Sequence, residues 1–195
     1  MTGKTVTGRV EQRRRAAVAE IVDAAWTMAA EEGLAGISMR ELATRLDMRP
    51  QSLAWYFPSK NALYDAMHRA GHEEFVQRLD GAAANGPLDL RAAAHLFAAF
   101  CMEKPARYQL LTQRTVPGFV PSEASAGLAR TAFGAWRHAL AEVGVTEAGH
   151  VDVLTAVVKG LVDQQITVDP AGDRYLRHLD TVIGMFRAHV RPGAG

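Results

Sequence analysis

Gln51, Ser52 and Trp55 put an amide, a hydroxyl and an indole within one short stretch of chain. That combination suits the edge of a DNA duplex. A glutamine pairs bidentately with adenine, and a serine bonds base edges or phosphate. The indole can stack on a sugar or donate its N–H to a phosphate oxygen. To display them the stretch must be helical. Pro50 fits a first helical turn, where its missing N–H would have had no partner. Pro58 stops the helix, because the residue before a proline resists the α conformation. With the periodicity of a helix, Leu53 and Phe57 share one face while Gln51, Ser52 and Trp55 point away from it. Trp55 and Tyr56 taken alone read more readily as core, but Leu53 and Phe57 already fill the inward face.

A helix of two turns needs a scaffold. Upstream, Val18, Ile21, Val22, Ala25 and Ala29 recur at helical spacing, and Gly33 is placed to end that helix. Ser38-Met39-Arg40-Glu41 forms a capping box, in which Ser38 accepts from the Glu41 amide and Glu41 reaches back to the Ser38 amide. A short helix with Leu42, Ala43 and Leu46 inward follows, and breaks at Asp47-Met48-Arg49. Two short helices joined by a tight turn, behind a longer one, are the helix-turn-helix plan, whose second helix enters the major groove. Ser59 then caps a fourth helix over about 60–79.

Charge and composition narrow the alternatives. Apolar residues make up 48% of the 195 and charged residues 22%, so a packed globular chain is expected rather than a disordered one. Residues 1–15 hold five basic groups, Lys4, Arg9, Arg13, Arg14 and Arg15, against Glu11 alone, while 61–195 carry 13 basic and 14 acidic groups. The positive charge sits at one end and suits phosphate. Residues 1–12 read as a flexible basic arm. Cys101 is the one cysteine, so no disulfide can form within the chain, and no apolar run is long enough for a signal peptide or a membrane span. A cytoplasmic protein, nucleoid-associated when on DNA, is the expectation, with no membrane partner.

The segment AAWTMAAEEGLAGISMRELATRLDMRPQSLAWYFPSKNALYDAM resembles the DNA-binding domain of bacterial TetR-type repressors. Glu32-Gly33-Leu34, Ser38, Leu53, Tyr56, Phe57, Lys60 and Leu63 fall in that family's register, and the likeness covers about residues 13–68. The resemblance implies that Pro50, Gln51 and Ser52 face the groove and that Arg40 can reach a base or a phosphate. It implies that Trp55, Tyr56 and Lys60 meet the backbone, with Thr44 a further phosphate contact. Lys60 also stands at a helix start, where the dipole favours an anion. Three positions depart from the pattern. Ala54 lacks the family's usual tyrosine hydroxyl. Arg49 replaces a small hydroxyl residue and adds a guanidinium for guanine or phosphate. Asp47 stands where a small turn residue is usual, and opposes phosphate unless it caps the helix.

The fold expected is therefore all-α, with about nine helices. A DNA-binding domain over 13–60 leads through the linking helix 60–79 into a ligand-binding and dimerisation domain over 81–195. Helical patterns continue at about 88–103, 105–114, 122–143, 149–168 and 173–191, punctuated by Pro and Gly. The resemblance implies a homodimer through the last two helices. Val151, Leu154, Val158, Leu161, Val162 and Gln165 make one stripe there, and Tyr175, Leu179, Val182, Ile183, Phe186 and Val190 another. These stripes can pair within the chain or with a second copy. A helix-turn-helix protein usually needs two copies about one DNA turn apart.

In the middle helices Phe97, Phe100, Cys101, Tyr108, Leu111, Phe133, Trp136 and Val157 could wall a pocket for a small, largely apolar effector. His95, Gln113, Arg114, His138 and Gln164 could supply polar contacts; most of these aromatics could also be plain core. His68 and His72, four apart on a helix expected to be solvated, lack a third metal ligand, and no metal or cofactor is expected. Gly71 either permits a bend in the linking helix or allows close packing. No nucleophile elbow, phosphate loop or zinc motif points to an enzyme. The reading is a ligand-responsive repressor on double-stranded operator DNA. The alternative is an activator or structural factor that works through a protein partner without an effector.

Overall fold

The computed structural model describes residues 3–190 except 85, 87 and 143, with side-chain exposure defined from residue 8 onward. Among these residues the regular elements are nine α-helices and one 3-10 turn, with no strand. They are α1 (Gly3–Gly36), α2 (Met39–Arg45), α3 (Pro50–Tyr56), α4 (Lys60–Ala83), α5 (Leu90–Glu103), α6 (Pro105–Thr112), α7 (Glu123–Glu142), α8 (Ala148–Val168) and α9 (Leu179–Val190), with the 3-10 turn at Leu176–His178.

Two apolar cores form, and α4 belongs to both. The first gathers Ile21, Ala25 and Met28 of α1, Leu42 of α2, Leu53 and Phe57 around α3, and Leu63 and Met67 from the first half of α4. The second gathers Phe75 and Leu79 from the second half of α4 with the inner faces of α5, α7, α8 and α9. Gly71 lies between them. A Cβ there would stand 3.0 Å from both Leu111 methyls, so the glycine lets α4 approach α6 closely.

Local chemistry explains the helix ends. Gly33 adopts φ 76° and ψ 164°, a conformation that breaks the regular run of α1 and favours glycine. Ser38 Oγ accepts from the Glu41 amide at 3.4 Å. The return half of the expected capping box is replaced, because the Glu41 carboxylate pairs with Arg45 at 2.9 Å. Arg45 also binds Glu31 at 2.5 Å and Glu32 at 2.9 Å, tying α2 to the end of α1. The α2 terminus closes as a Schellman motif: Asp47 N donates to Thr44 O (3.1 Å) and Met48 N to Ala43 O (2.8 Å), with Asp47 left-handed at φ 51°. Asp47 thus ends α2 and does not cap α3, whose N-cap residue is Arg49.

Two elements differ from the sequence expectation. The basic stretch read as a flexible arm is helical from Gly3, continuous with α1. No proline interrupts it, and Glu11 and Arg15 pair across one turn at 3.2 Å. The helix expected over 173–191 begins only at Leu179. Side chains take the amides a longer helix would need: Gln165 Oε1 accepts from Tyr175 N (2.9 Å) and Leu176 N (3.2 Å), and Asp169 accepts from Arg174 N at 3.0 Å.

Candidate nucleic-acid interface and body cavity

Leu53 is 1% exposed and Phe57 5%, both in the first core, while Trp55 on the same short helix is 66% exposed. Gln51, Ser52, Arg49, Pro50 and Ala54 are exposed as well. Arg40 and Thr44 on α2 share this exposure, and Thr44 Oγ1 donates back to the Arg40 carbonyl at 3.1 Å. Among the described residues neither Arg40 nor Arg49 makes an ion pair, in contrast to Arg45 with its three carboxylates.

Three placements go beyond the sequence reading. Tyr56 is half-buried, packs against the first core and meets Trp55 edge-on at 4.8 Å between ring centroids. The Arg14 guanidinium stands 5.6 Å from the Trp55 ring, so the basic end of α1 reaches the same face as α3. Lys60, half-buried, already donates to the Ala35 carbonyl at 2.7 Å, and Tyr64 Oη donates to the neighbouring Leu34 carbonyl. These two bonds fasten the start of α4 onto carbonyls at the end of α1, just past its break at Gly33. An ammonium has three donors, so two on Lys60 stay available to an anion.

In the body, a cavity of about 320 Å³ opens among α4, α5, α6, α7 and α8. Of the residues the sequence singled out, it brings together Phe97, Phe100, Cys101, Tyr108, Leu111, Phe133 and Trp136. Phe75 joins them, 5.8 Å from Phe97 and 5.1 Å from Phe100 between centroids. All five expected polar contributors lie elsewhere. His95 sits on the surface, 2.7 Å from Asp180, which also binds Arg91. Gln113 spends its amide on Asp163 at 2.7 Å. Gln164 and Arg114 are exposed outside the lining. His138 and Val157 are exposed and outside the lining too.

Of the other polar groups that line the cavity, Thr112, Thr155 and Lys159 escape the sequence reading, and His72 enters it only as half of a histidine pair. Helical spacing could find Thr155 and Lys159, which are four apart on α8. The expectation of a solvated face for His68 and His72 is corrected: His68 is buried and His72 half-buried, their rings 4.5 Å apart and edge-on. Burial first, and the adjacent His68 second, depress His72 to about 4, so it is neutral near pH 7. Burial pushes the Cys101 thiol up to about 12, which leaves it a protonated wall atom.

A buried cation ties α4, α5 and α6 together. Arg107 is 0% exposed and bonds Glu74 of α4 at 2.6 Å and the Phe100 carbonyl of α5 at 2.5 Å, with its guanidinium 3.7 Å from the Phe100 ring. Arg78 completes the cluster on Glu74 and Glu103, both at 2.6 Å. Nothing in the local pattern around Arg107 announces this, because its partners come from other helices.

A helical reading head with an exposed second helix, carried on an all-helical body, defines a helix-turn-helix protein. Residues 21–67 match the family model described as bacterial regulatory proteins, tetR family. The chain is similar to the HTH-type transcriptional regulators Rv1816 of Mycobacterium tuberculosis and Mb1846 of Mycobacterium bovis. It is 29% identical to each over 140 residues, 69% of this chain and 60% of each relative, so the match spans about three fifths of their length. The fold is shared with the regulatory protein SCO4313 (TM-score 0.69, 23% identity, 93% of this chain and 96% of that one). It is shared too with the TetR-family regulator PfmR of Thermus thermophilus (TM-score 0.62, 15% identity, 90% and 99%). The likeness to the TetR family of bacterial regulators lies in the reading head, residues 21–67.

Proposed function

We propose that this chain is a homodimeric transcriptional regulator that holds operator DNA through α3 and lets go when a small molecule enters the body cavity. The observation that carries the DNA reading is the division of labour on α3. Two side chains bury it, and an amide, a hydroxyl and an indole on the same seven residues face outward. In this reading Gln51, Ser52 and Arg49 meet base edges, with Pro50 at the groove. Trp55, Tyr56, Thr44, Arg40 and Lys60 hold phosphate or sugar. Arg14 adds charge from α1.

Dimerisation is supported by what α8 and α9 leave uncovered. Their expected apolar stripes are spent inside the chain, where Val151, Leu154, Val158 and Ile183 are buried. The outer faces still show Val153 (55% exposed), Val157 and Met185 (69% exposed), beside Gly160 and Gly184, where an added Cβ would meet open space. Small and apolar residues on two adjacent helices suit a four-helix bundle with a second copy.

Ligand control is supported by the path from cavity to head. Leu111 lines the cavity and presses on Gly71 of α4, and Phe75 of α4 is itself a wall. A ligand that shifts either moves the helix that carries the head. A coupling of about 1–3 kcal/mol is enough for a switch. The structural neighbour EbrR, described as a multidrug binding protein, was solved with ethidium (TM-score 0.54). In this reading the protein works in the cytoplasm, where its operator is. No helix among the described residues is long and apolar enough to cross a membrane.

The test is selection of bound DNA from a random pool. The expected result is an inverted repeat whose half-sites lie about one helical turn apart. A pool left without enrichment would remove the proposal.

A further inference from the structure

The body cavity carries more information than its volume. At about 320 Å³ it is near the small end of ligand pockets, and four aromatic rings, Phe75, Phe97, Phe100 and Trp136, form a connected wall. Flat aromatic guests fit such a wall by stacking and edge contacts.

The polar lining divides into spent and unspent groups. Thr155 Oγ1 accepts from Trp136 Nε1 at 3.1 Å and donates to the Val151 carbonyl at 2.7 Å. Thr112 donates to the Tyr108 carbonyl at 2.8 Å. By contrast, the Tyr108 hydroxyl and His72 Nε2 are buried without a hydrogen-bond partner, and Tyr108 is only 1% exposed. Burying such groups unpaired is unfavourable, and a guest with an acceptor oxygen removes that penalty. Burial first, and the neighbouring Asp163 carboxylate after it, push the Tyr108 phenol up, so it stays a donor. Among the described residues Lys159 is the one charged group in the lining. Asp163 offsets part of its field, yet that carboxylate lies outside the lining and is tied to Gln113.

We infer that the effector is a small planar aromatic carboxylate, its ring among Phe75, Phe97, Phe100 and Trp136 and its oxygens on Tyr108 and Lys159. This rests on the ligand-controlled reading above but is tested without DNA. Three isosteric probes, 2-naphthoate, 2-naphthamide and 2-(aminomethyl)naphthalene, are titrated calorimetrically into the full chain. The carboxylate binds best and the amine at least about tenfold more weakly, with the neutral amide between.

Lys159→Met costs the carboxylate about tenfold and leaves the amide within about threefold. Lys159→Gln repeats the test should the methionine variant fail to fold. Tyr108→Phe weakens carboxylate and amide together by several-fold, with an unfolding midpoint no lower than the parent's, since the orphaned hydroxyl is gone. An amine that binds as tightly as the carboxylate overturns the inference. So does a carboxylate affinity indifferent to Lys159, or a chain that binds none of the three probes. Operator release is measured separately. Binding without release removes the regulatory reading and leaves the site, whereas release by a different class of ligand does the reverse.

Discussion

The reading head and the body use the same material in opposite senses. In the head, a helix of seven residues, Pro50–Tyr56, turns its polar side chains outward and spends Leu53 and Phe57 on attachment. In the body, five longer helices turn their aromatic side chains inward around a cavity and leave small and apolar residues on the outer faces of α8 and α9. The head can therefore lose an outward group without losing its fold. The body cannot change its inward groups without changing both packing and pocket. Between them α4 serves both cores, and the Glu74–Arg107 pair and the Gly71–Leu111 contact lie where the two meet.

The largest expected effect comes from the head's attachment. Leu53→Ala removes a fully buried side chain and costs about 2–5 kcal/mol. Denaturant unfolding followed by circular dichroism reads this, and a midpoint equal to the parent's would mean that α3 is not anchored as described. Next is the junction. Arg107→Met leaves Glu74 with Arg78 alone and costs about 3 kcal/mol, the low end for breaking a buried pair, because Glu74 keeps some hydration. A variant as stable as the parent would show that α4, α5 and α6 do not lean on this cluster.

Trp55→Ala sharpens the contrast. Its stability changes by no more than about 0.5 kcal/mol, as for an exposed site, while operator affinity falls about tenfold, or about 1.4 kcal/mol. Fluorescence anisotropy on a fixed operator at fixed salt measures the second quantity.

The last expected effect emerges only on acidification, as a pH dependence within the body. His72 titrates at about 4 in the folded chain against an ordinary 6.5. As pH falls below about 6.5, the unfolded chain takes up a proton that the folded one refuses, so stability drops between about 6.5 and 4 and this contribution then levels off. His68, also depressed by burial, acts in the same direction. Thermal midpoints measured over that range slope downward on acidification, and His72→Gln flattens the slope. An unchanged slope in the variant would place His72 in water.

The contrast also explains which parts are legible in the sequence. The outward and inward faces of α3 follow from residue spacing inside one helix, bounded by two prolines, so local periodicity is sufficient. The Schellman turn at Asp47 is harder, since a left-handed aspartate shows no glycine signal. In the body, apolar spacing identifies helix faces but not their partners. Val151 and Leu154 are legible as an apolar stripe, yet only packing decides that they are spent inside the chain. His95 and Gln113 look like pocket residues because they neighbour aromatics in sequence, but Asp180 and Asp163, on other helices, take them. The same long-range pairing hides Arg107. The 3-10 turn before α9 is masked by side-chain acceptors, Gln165 and Asp169, that outcompete the helix for backbone amides.

The central claim is that α3 reads base edges with its outward amide. Gln51→Ala is compared with the parent on the selected operator and on a scrambled duplex of the same length and salt. The account predicts a loss of about tenfold on the operator, within the range for one bidentate base contact, and no change on the scrambled duplex. Equal losses on both duplexes, or no loss on either, would contradict it.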